Sequence, residues 1–337
     1  MWNSFQCAVQ GRSHIKADIP CQDKTYSAVA NDVQVIALAD GAGSAKLSHH
    51  GAETVTTFLC SVLIEKFDTY FLDNDGVAVK YQIIEGLLKS LNERAEQLDC
   101  RINDLASTLL LVAIKKDRFI IAHIGDGVIG YLKNNELKIA SQPENGEFIN
   151  TTVFTTSRDA INTMKLIKGS LGEIQGFVLM SDGTETSLYN KKEHKFADVL
   201  KKIMQISTIV SLDKLQEQLE QSFKNVISQA TTDDCSIAML VKKNETFNGY
   251  MNLSRTKKCE ILGKNVNTSK RVIRQYDSIF MFLLTKHTLS EVALKIHLKI
   301  KYARKHLDRL CMLNYIEKDN NFYKTILIMD DEQRKNH

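Results

Sequence analysis

Apolar positions along this chain fall into short runs bounded by turn residues, separated by longer stretches with three- and four-residue spacing. Val33–Ala39, Thr108–Ile114, Arg118–Ile124, Val128–Lys133, Phe177–Met180 and Ser236–Val241 are short and rich in Val, Ile and Leu, and read as strands. Asn134-Asn135 reads as a hairpin turn leading into Glu136–Ile139. Gly51–Lys66, Val79–Leu98, Phe196–Ile206 and Leu212–Ser228 carry apolar residues on one helical face and read as amphipathic helices. Hairpins with intervening helix pairs predict an α+β fold. The expected form is two antiparallel sheets packed face to face with helices outside, a four-layer α-β-β-α sandwich.

Four of the apolar runs carry an acid at one end. Ala39-Asp40-Gly41, Gly125-Asp126-Gly127 and Ser181-Asp182-Gly183 close their runs, whereas Asp233-Asp234 opens the run from Cys235. In antiparallel sheets one strand's end lies beside its neighbour's start, so these acids can share one rim. Crowded carboxylates repel, and such a rim needs protons or hard cations between them. Each Asp-Gly taken alone is an ordinary turn signal. Asp40 and Asp182, however, lead into small-residue loops with no returning strand close behind. After Asp126, Gly127 to Lys133 looks like a returning strand, so a hairpin turn stays open there.

The C-terminal part has its own pattern. Tyr276–Leu284 is an apolar helix, and Thr288-Leu289-Ser290-Glu291 is a capping box opening a second. His297-Leu298-Lys299 makes a turn, and Ile300, Ala303, Leu307 and Leu310 line one side of a third helix. Tyr315-Ile316-Glu317 and Phe322–Ile326 flank Asp319-Asn320-Asn321 as a β-hairpin. Helix, helix-turn-helix and hairpin together resemble a winged helix. Lys299, Lys301, Arg304 and Lys305 on the opposite helix face suit phosphate contacts at a groove. Solvated helix faces carry such charges too, and winged helices also dock proteins. No dense Arg/Asn/Gln set for reading base edges is present, so nucleic acid and protein partners both stay open.

Cys21-Gln22-Asp23, Asp40-Gly41-Ala42-Gly43-Ser44, Ala106-Ser107-Thr108, Gly125-Asp126-Gly127, Ser181-Asp182-Gly183 and Asp233-Asp234-Cys235-Ser236 occur in an order and spacing that carry a family resemblance. Over about residues 5 to 242 the chain resembles the metal-dependent protein phosphatases of the protein phosphatase 2C type. The bacterial branch is the most similar, through Ser13-His14 followed by Pro20-Cys21-Gln22-Asp23. The resemblance implies that Asp40 bridges two Mn²⁺ or Mg²⁺ ions, with the Gly41 carbonyl also on the metal. Asp182 and Asp233 would complete the centre, Asp23 would hold it directly or through water, and Asp126 would belong to a third, weaker ion. Two such ions clamp a phosphoryl group and activate the attacking water, so no phospho-enzyme is needed.

The chain departs from that family's pattern around the metals. An arginine is usual shortly before the first metal aspartate; here Arg12, His14 and Lys16 are the candidates, none at the usual spacing. Ala42 stands where some members place a proton-donating histidine, Val128 replaces the arginine after Gly-Asp-Ser, and Asp233-Asp234 replaces Asp-Asn. His14 is retained as a candidate catalytic residue. Nothing in the sequence places His49 or His50 in the site.

Charge divides the chain where composition does not. Residues 243–337 hold 19 Lys+Arg against 10 Asp+Glu, a net of +9, which leaves −5 for the first 242 residues. This predicts a phosphatase domain over 1–242, a linker over 243–272 and a winged-helix-like domain over 273–330. No apolar run reaches the ~18 residues of a membrane span, and the start does not resemble a signal peptide. Seven scattered cysteines without Cys-x-x-Cys spacing fit a reducing cytoplasm rather than a disulfide framework or a zinc site. The expected activity is metal-dependent hydrolysis of phosphoserine and phosphothreonine on proteins, with a phosphoprotein substrate and a cognate Ser/Thr kinase as partners and no membrane contact. The alternative is a catalytically weak phosphatase-like sensor, or a DNA-binding regulator acting through the winged-helix module.

Overall fold

The computed structural model describes residues 2–134, 136–142, 152–207, 212–242, 250–251, 253–313 and 315–326. These form two compact units. The larger comprises Trp2–Met204 and Gln216–Lys242, and the smaller the described residues of Gln205–Leu215 and Lys243–His337.

The larger unit runs β1 (Trp2–Val9), α1 (Arg12–Ala17), β2 (Lys24–Ala30), β3 (Val33–Ala39), α2 (Ser48–Leu72), α3 (Gly76–Gln97), β4 (Leu109–Lys115) and β5 (Arg118–Ile124). It continues through β6 (Val128–Lys133), β7 (Glu136–Ser141), β8 (Lys165–Ser170), β9 (Ile174–Met180), β10 (Tyr189–Asn190), β11 (Lys195–Phe196) and α4 (Asp198–Ile206). Helix α5 (Leu212–Ser222) precedes β12 (Cys235–Lys242).

Two five-stranded antiparallel sheets result, in the orders β1-β12-β9-β6-β7 and β2-β3-β4-β5-β8. Strand β3 shows why its sequence reads as a continuous apolar run. Val35 and Ala37 pack toward α2 and α3 with Val55, Leu59, Ile83 and Leu87. The alternate residues Ile36 and Leu38 pack between the sheets with Leu110, Phe177, Leu179 and Leu240. Both faces are buried, so neither alternation nor polarity marks the strand. On the outer face of the first sheet, a Cβ at Gly130 would lie 2.7 Å from Phe196 and one at Gly176 2.5 Å from Met204. The β10–β11 hairpin and α4 therefore lie close against that sheet. This is the four-layer α+β sandwich.

The central strands match the expected ones to within a few residues, whereas β1, β2, β8 and α1 have no counterpart among the expected elements. β1, β2 and β8 are sheet edges with mostly half-buried or exposed side chains, as in Lys24–Ala30. The helix expected over Leu212–Ser228 ends at Ser222 and continues as a π-helical turn over Phe223–Ile227. Lys133 pairs with Glu136 as the hairpin expectation requires; Asn135 lies outside the described residues.

The smaller unit contains α6 (Arg255–Ile261), α7 (Lys270–Phe282), β13 (His287–Thr288), α8 (Leu289–Lys295), α9 (Ile300–Met312), β14 (Ile316–Asp319) and β15 (Phe322–Thr325). Its three strands pair in the order β13-β15-β14. Thr288 caps α8, its backbone N–H donating to Glu291 Oε2 at 2.7 Å. The linker expected over 243–272 is corrected here for its described part. Tyr250, Cys259 and Leu262 are buried in the same core as Tyr276, Phe280 and Leu307. Lys258 donates to both carboxylate oxygens of Asp277 at 3.1 Å. A polar sequence without clear period hid a helix whose few apolar residues all face the core. Residues 243–249 lie outside the described residues.

Candidate metal centre

Strands β3, β5 and β9 are each followed within two residues by an aspartate, and the three carboxylates converge. One oxygen each of Asp40, Asp126 and Asp182 lies within 4.8 Å of the others. Asp40 is fixed through its backbone: its N–H donates to Thr108 Oγ1 at 2.8 Å, and its C=O accepts from Thr108 N at 2.8 Å. Gly41 then bridges to Ser107. Asp182 opens a 3-10 turn, and the following Gly183 lies against the Asp234 carbonyl, 1.8 Å from where a Cβ would be.

Asp126 is no hairpin residue. Strand β5 pairs with β4 and β8, while β6 pairs with β7 and β9 in the other sheet. Gly125-Asp126-Gly127 is the step from one sheet to the other, and it delivers the carboxylate to the rim between them. Gly125 has φ +111°, and a Cβ there would stand 2.5 Å from Thr108 Cγ2, so this crossing requires glycine. Thr152 Oγ1 donates to Asp126 Oδ2 at 2.5 Å.

The remaining predicted acids divide. Asp23 is completely buried; its Oδ2 accepts from Ser236 Oγ at 2.6 Å, and its Oδ1 has no partner among the described residues. Asp233 is exposed and stands outside the triplet, although its charge reaches Asp182. Its neighbour Asp234 is buried and structural, accepting from Gly11 N and from Gln22 N at 2.6 Å each. His14 Nδ1 lies 2.9 Å from Asp234 Oδ1. Arg12 Nε donates to the Thr231 carbonyl at 3.0 Å. His50 faces Arg94 of α3 at 3.3 Å, with the His49 ring tilted against it at 4.1 Å between centroids. Sequence reasoning missed Ser236, a hydroxyl inside an otherwise apolar strand. It also missed Glu185, which falls one helical turn after Asp182.

Crowding and burial set the electrostatics. Burial pushes Asp40 well above the usual carboxylate range, and the charges of Asp23, Asp182 and Asp126 push it further. Burial raises Asp182, with Asp126 and Asp233 adding to it. Burial also raises Asp23, to about 7, against the lowering effect of the Ser236 hydrogen bond. Unpartnered buried oxygens on Asp23 and Asp182, within an all-oxygen donor set, fit a hard divalent cation.

A family description, Protein phosphatase 2C, matches residues 10–223. The chain belongs to the protein phosphatase 2C family. It is similar to serine/threonine-protein phosphatase 3 of Escherichia coli, 27% identical over 248 residues that cover 71% of this chain and 97% of that protein. Among solved structures, a bacterial serine phosphatase variant matches with a TM-score of 0.52 at 14% identity, covering 72% of this chain and 98% of its own. A C. elegans sex determining protein matches with a TM-score of 0.52 at 13% identity, covering 71% of this chain and 64% of its own. These structures share the fold. This phosphatase family is metal-dependent, and the Asp40–Asp126–Asp182 cluster is of the all-oxygen kind that could hold a metal ion.

Proposed function

We propose that this phosphatase hydrolyses phosphoserine and phosphothreonine on proteins, using Mn²⁺ or Mg²⁺ held by its acidic rim. The convergence of Asp40, Asp126 and Asp182 from three separate strand ends carries the reading. Asp40, the Gly41 carbonyl, Asp182, Asp233 and Asp23 would hold two ions, and Asp126 with Asp182 a third. Bound there, the ions supply Lewis acidity that lowers the pKa of a water and neutralises phosphoryl charge. The chain's own part is positional. Thr108 fixes Asp40, Ser236 fixes Asp23, and Asp234 ties Gly11 and Gln22 so that Asp23 stays buried beneath the rim. His14, beside Asp234, is assigned proton donation to the leaving alkoxide. If so, His14→Gln slows substrates with poor leaving groups more than p-nitrophenyl phosphate.

The partners are a phosphoprotein substrate and the Ser/Thr kinase that makes it. Seven free cysteines suit a reducing cytoplasm, and no helix among the described residues is long and apolar enough to cross a membrane. Calorimetric Mn²⁺ binding with Mn²⁺-dependent hydrolysis of p-nitrophenyl phosphate and a phosphothreonine peptide tests the assignment. Mn²⁺ binding without turnover would instead favour a phosphatase-like sensor.

We also read the smaller unit as a winged helix that takes a polyanion. Lys299, Lys301, Arg304 and Lys305 of α9 and its N-terminal flank are all exposed, and the β14–β15 hairpin adds Lys318 and Lys324, also exposed. Binding of duplex DNA that weakens steeply with salt is the expected observation.

A further inference from the structure

A phosphate monoester carries up to two negative charges, and the rim it must approach is built from carboxylates, so a protein cation is needed to hold its oxygens. The candidates ahead of Asp23 are engaged elsewhere or turned to solvent: Arg12 Nε on the Thr231 carbonyl, His14 on Asp234, and Lys16 exposed in the last turn of α1.

A cation comes instead from the segment after Asp182. The 3-10 turn Asp182–Thr184 runs directly into the helical turn Glu185–Leu188 and then the β10–β11 hairpin. Lys191, at the hairpin tip, folds back so that its Nζ forms an ion pair with Glu185 Oε1. Glu185 stands three residues beyond Asp182, within the fields of both Asp182 and Asp126, and the Lys191 ammonium in turn acts on Asp182. The hairpin is braced for this. Asn190 Oδ1 accepts from Lys192 N at 3.0 Å and Glu193 N at 3.2 Å. Tyr189 and Phe196 are buried, with ring centroids 5.0 Å apart. An open cleft of about 570 Å³ lies against it, walled in part by Glu185, Lys191, Lys192 and Lys195.

We propose that Lys191, aligned by its tether to Glu185, is the residue that binds the substrate's phosphoryl oxygens, and that the lysine-walled cleft beside it receives an anionic flank of the phosphopeptide. This deepens the phosphatase reading and rests on it for the identity of the ligand. Glu185, three residues beyond Asp182, holds the ammonium by its ion pair, and an arriving phosphate competes for it as the stronger acceptor. Lys191 has a side chain 47% exposed and lies on a turn, so its replacement removes a charge with little packing.

The test is calorimetric binding of inorganic phosphate to the full chain with saturating Mn²⁺. Lys191→Ala is expected to weaken phosphate about 10–100-fold, the loss of one charge-assisted hydrogen bond, with Mn²⁺ affinity unchanged. Lys191→Arg should restore most of the binding, and Lys191→Gln serves if the alanine variant is unstable. A phosphate affinity equal to wild type in a folded, Mn²⁺-binding Lys191→Ala or Lys191→Gln chain overturns the assignment. Turnover separates the two readings. A wild-type chain that binds phosphate through Lys191 yet hydrolyses no aryl phosphate refutes the catalytic function and leaves the anion site standing.

Discussion

Ser236, at the start of β12, donates to Asp23 across 2.6 Å, and the other oxygen of Asp23 is buried with no partner among the described residues. Removing the hydroxyl tests the arrangement. Ser236→Ala should lower stability by about 1.5–3 kcal/mol near pH 8, the range for a hydrogen bond to a charged group, and weaken Mn²⁺ binding. Urea unfolding and Mn²⁺ calorimetry measure both effects. An unchanged Mn²⁺ affinity would show that Asp23 plays no part in holding the ions.

The raised carboxylates make stability depend on pH in a definite direction. An acid whose folded-state pKa lies above its unfolded value keeps its proton longer in the folded state, so stability falls as pH rises through that interval. Asp23, raised to about 7 by burial, and Asp40, pushed well above the usual carboxylate range by burial and its acidic neighbours, both act this way. Buried His123, lowered to about 3, works in the opposite sense below the unfolded histidine pKa of 6.5. Above pH 6.5 the carboxylates act without that opposition. The chelator-treated protein should therefore lose stability between pH 6.5 and pH 8, at up to about 1.4 kcal/mol per pH unit for each proton released. Mn²⁺ should abolish the decline, and Asp23→Asn should flatten it. Thermal melts across that window with and without Mn²⁺ decide; a rising Tm in chelator would contradict the buried-charge account.

Asp126 separates what was legible in the sequence from what was not. The acids at the ends of apolar runs, and the strands that carry them, could be read because buried central strands are short and continuous in Val, Ile and Leu. The sheet each strand joins could not be read, because pairing is set by residues far apart in sequence. Gly125-Asp126-Gly127 followed by Val128–Lys133 has the local signature of a hairpin, and only the partners of β5 and β6 reveal a sheet-to-sheet crossing. The same limit hid Asp234, a structural anchor beside exposed Asp233, and the edge strands β1, β2 and β8. The helix over Arg255–Ile261 was obscured by a polar sequence in which the apolar residues that reach the core, Cys259, Ile261 and Leu262, all lie near its end.

If Asp126 serves a third, weaker ion, Asp126→Ala should leave the tighter Mn²⁺ binding intact while slowing turnover and raising the Mn²⁺ concentration needed for half-maximal rate. Thr152, which donates to Asp126 Oδ2, loses only an exchangeable partner at the rim, so stability should change by less than about 1.5 kcal/mol. Metal-titrated kinetics on Asp126→Ala and Asp126→Asn provide the comparison. Wild-type rates and metal dependence in both variants would remove Asp126 from the site.

The smaller unit carries the opposite charge balance from the rest of the chain, and its basic residues are concentrated where a polyanion can reach them. Lys301, Arg304 and Lys305 are exposed on α9, whereas Ala303, Leu307 and Leu310 of the same helix are buried. Replacing all three basic residues with Glu leaves the buried face untouched, so the unit should stay folded. DNA affinity should then fall, and the slope of log K against log salt should become shallower by about 0.9 for each phosphate no longer neutralised, close to 3 if all three side chains neutralise one. Hydrolysis of p-nitrophenyl phosphate should be unaffected, because none of these side chains belongs to the acidic rim. Fluorescence anisotropy on a labelled duplex at several salt concentrations, run beside the aryl phosphate assay, reads both quantities from one preparation. An unchanged salt slope would turn the basic face into plain solvated surface, and a loss of aryl phosphate turnover would tie the smaller unit to the chemistry itself.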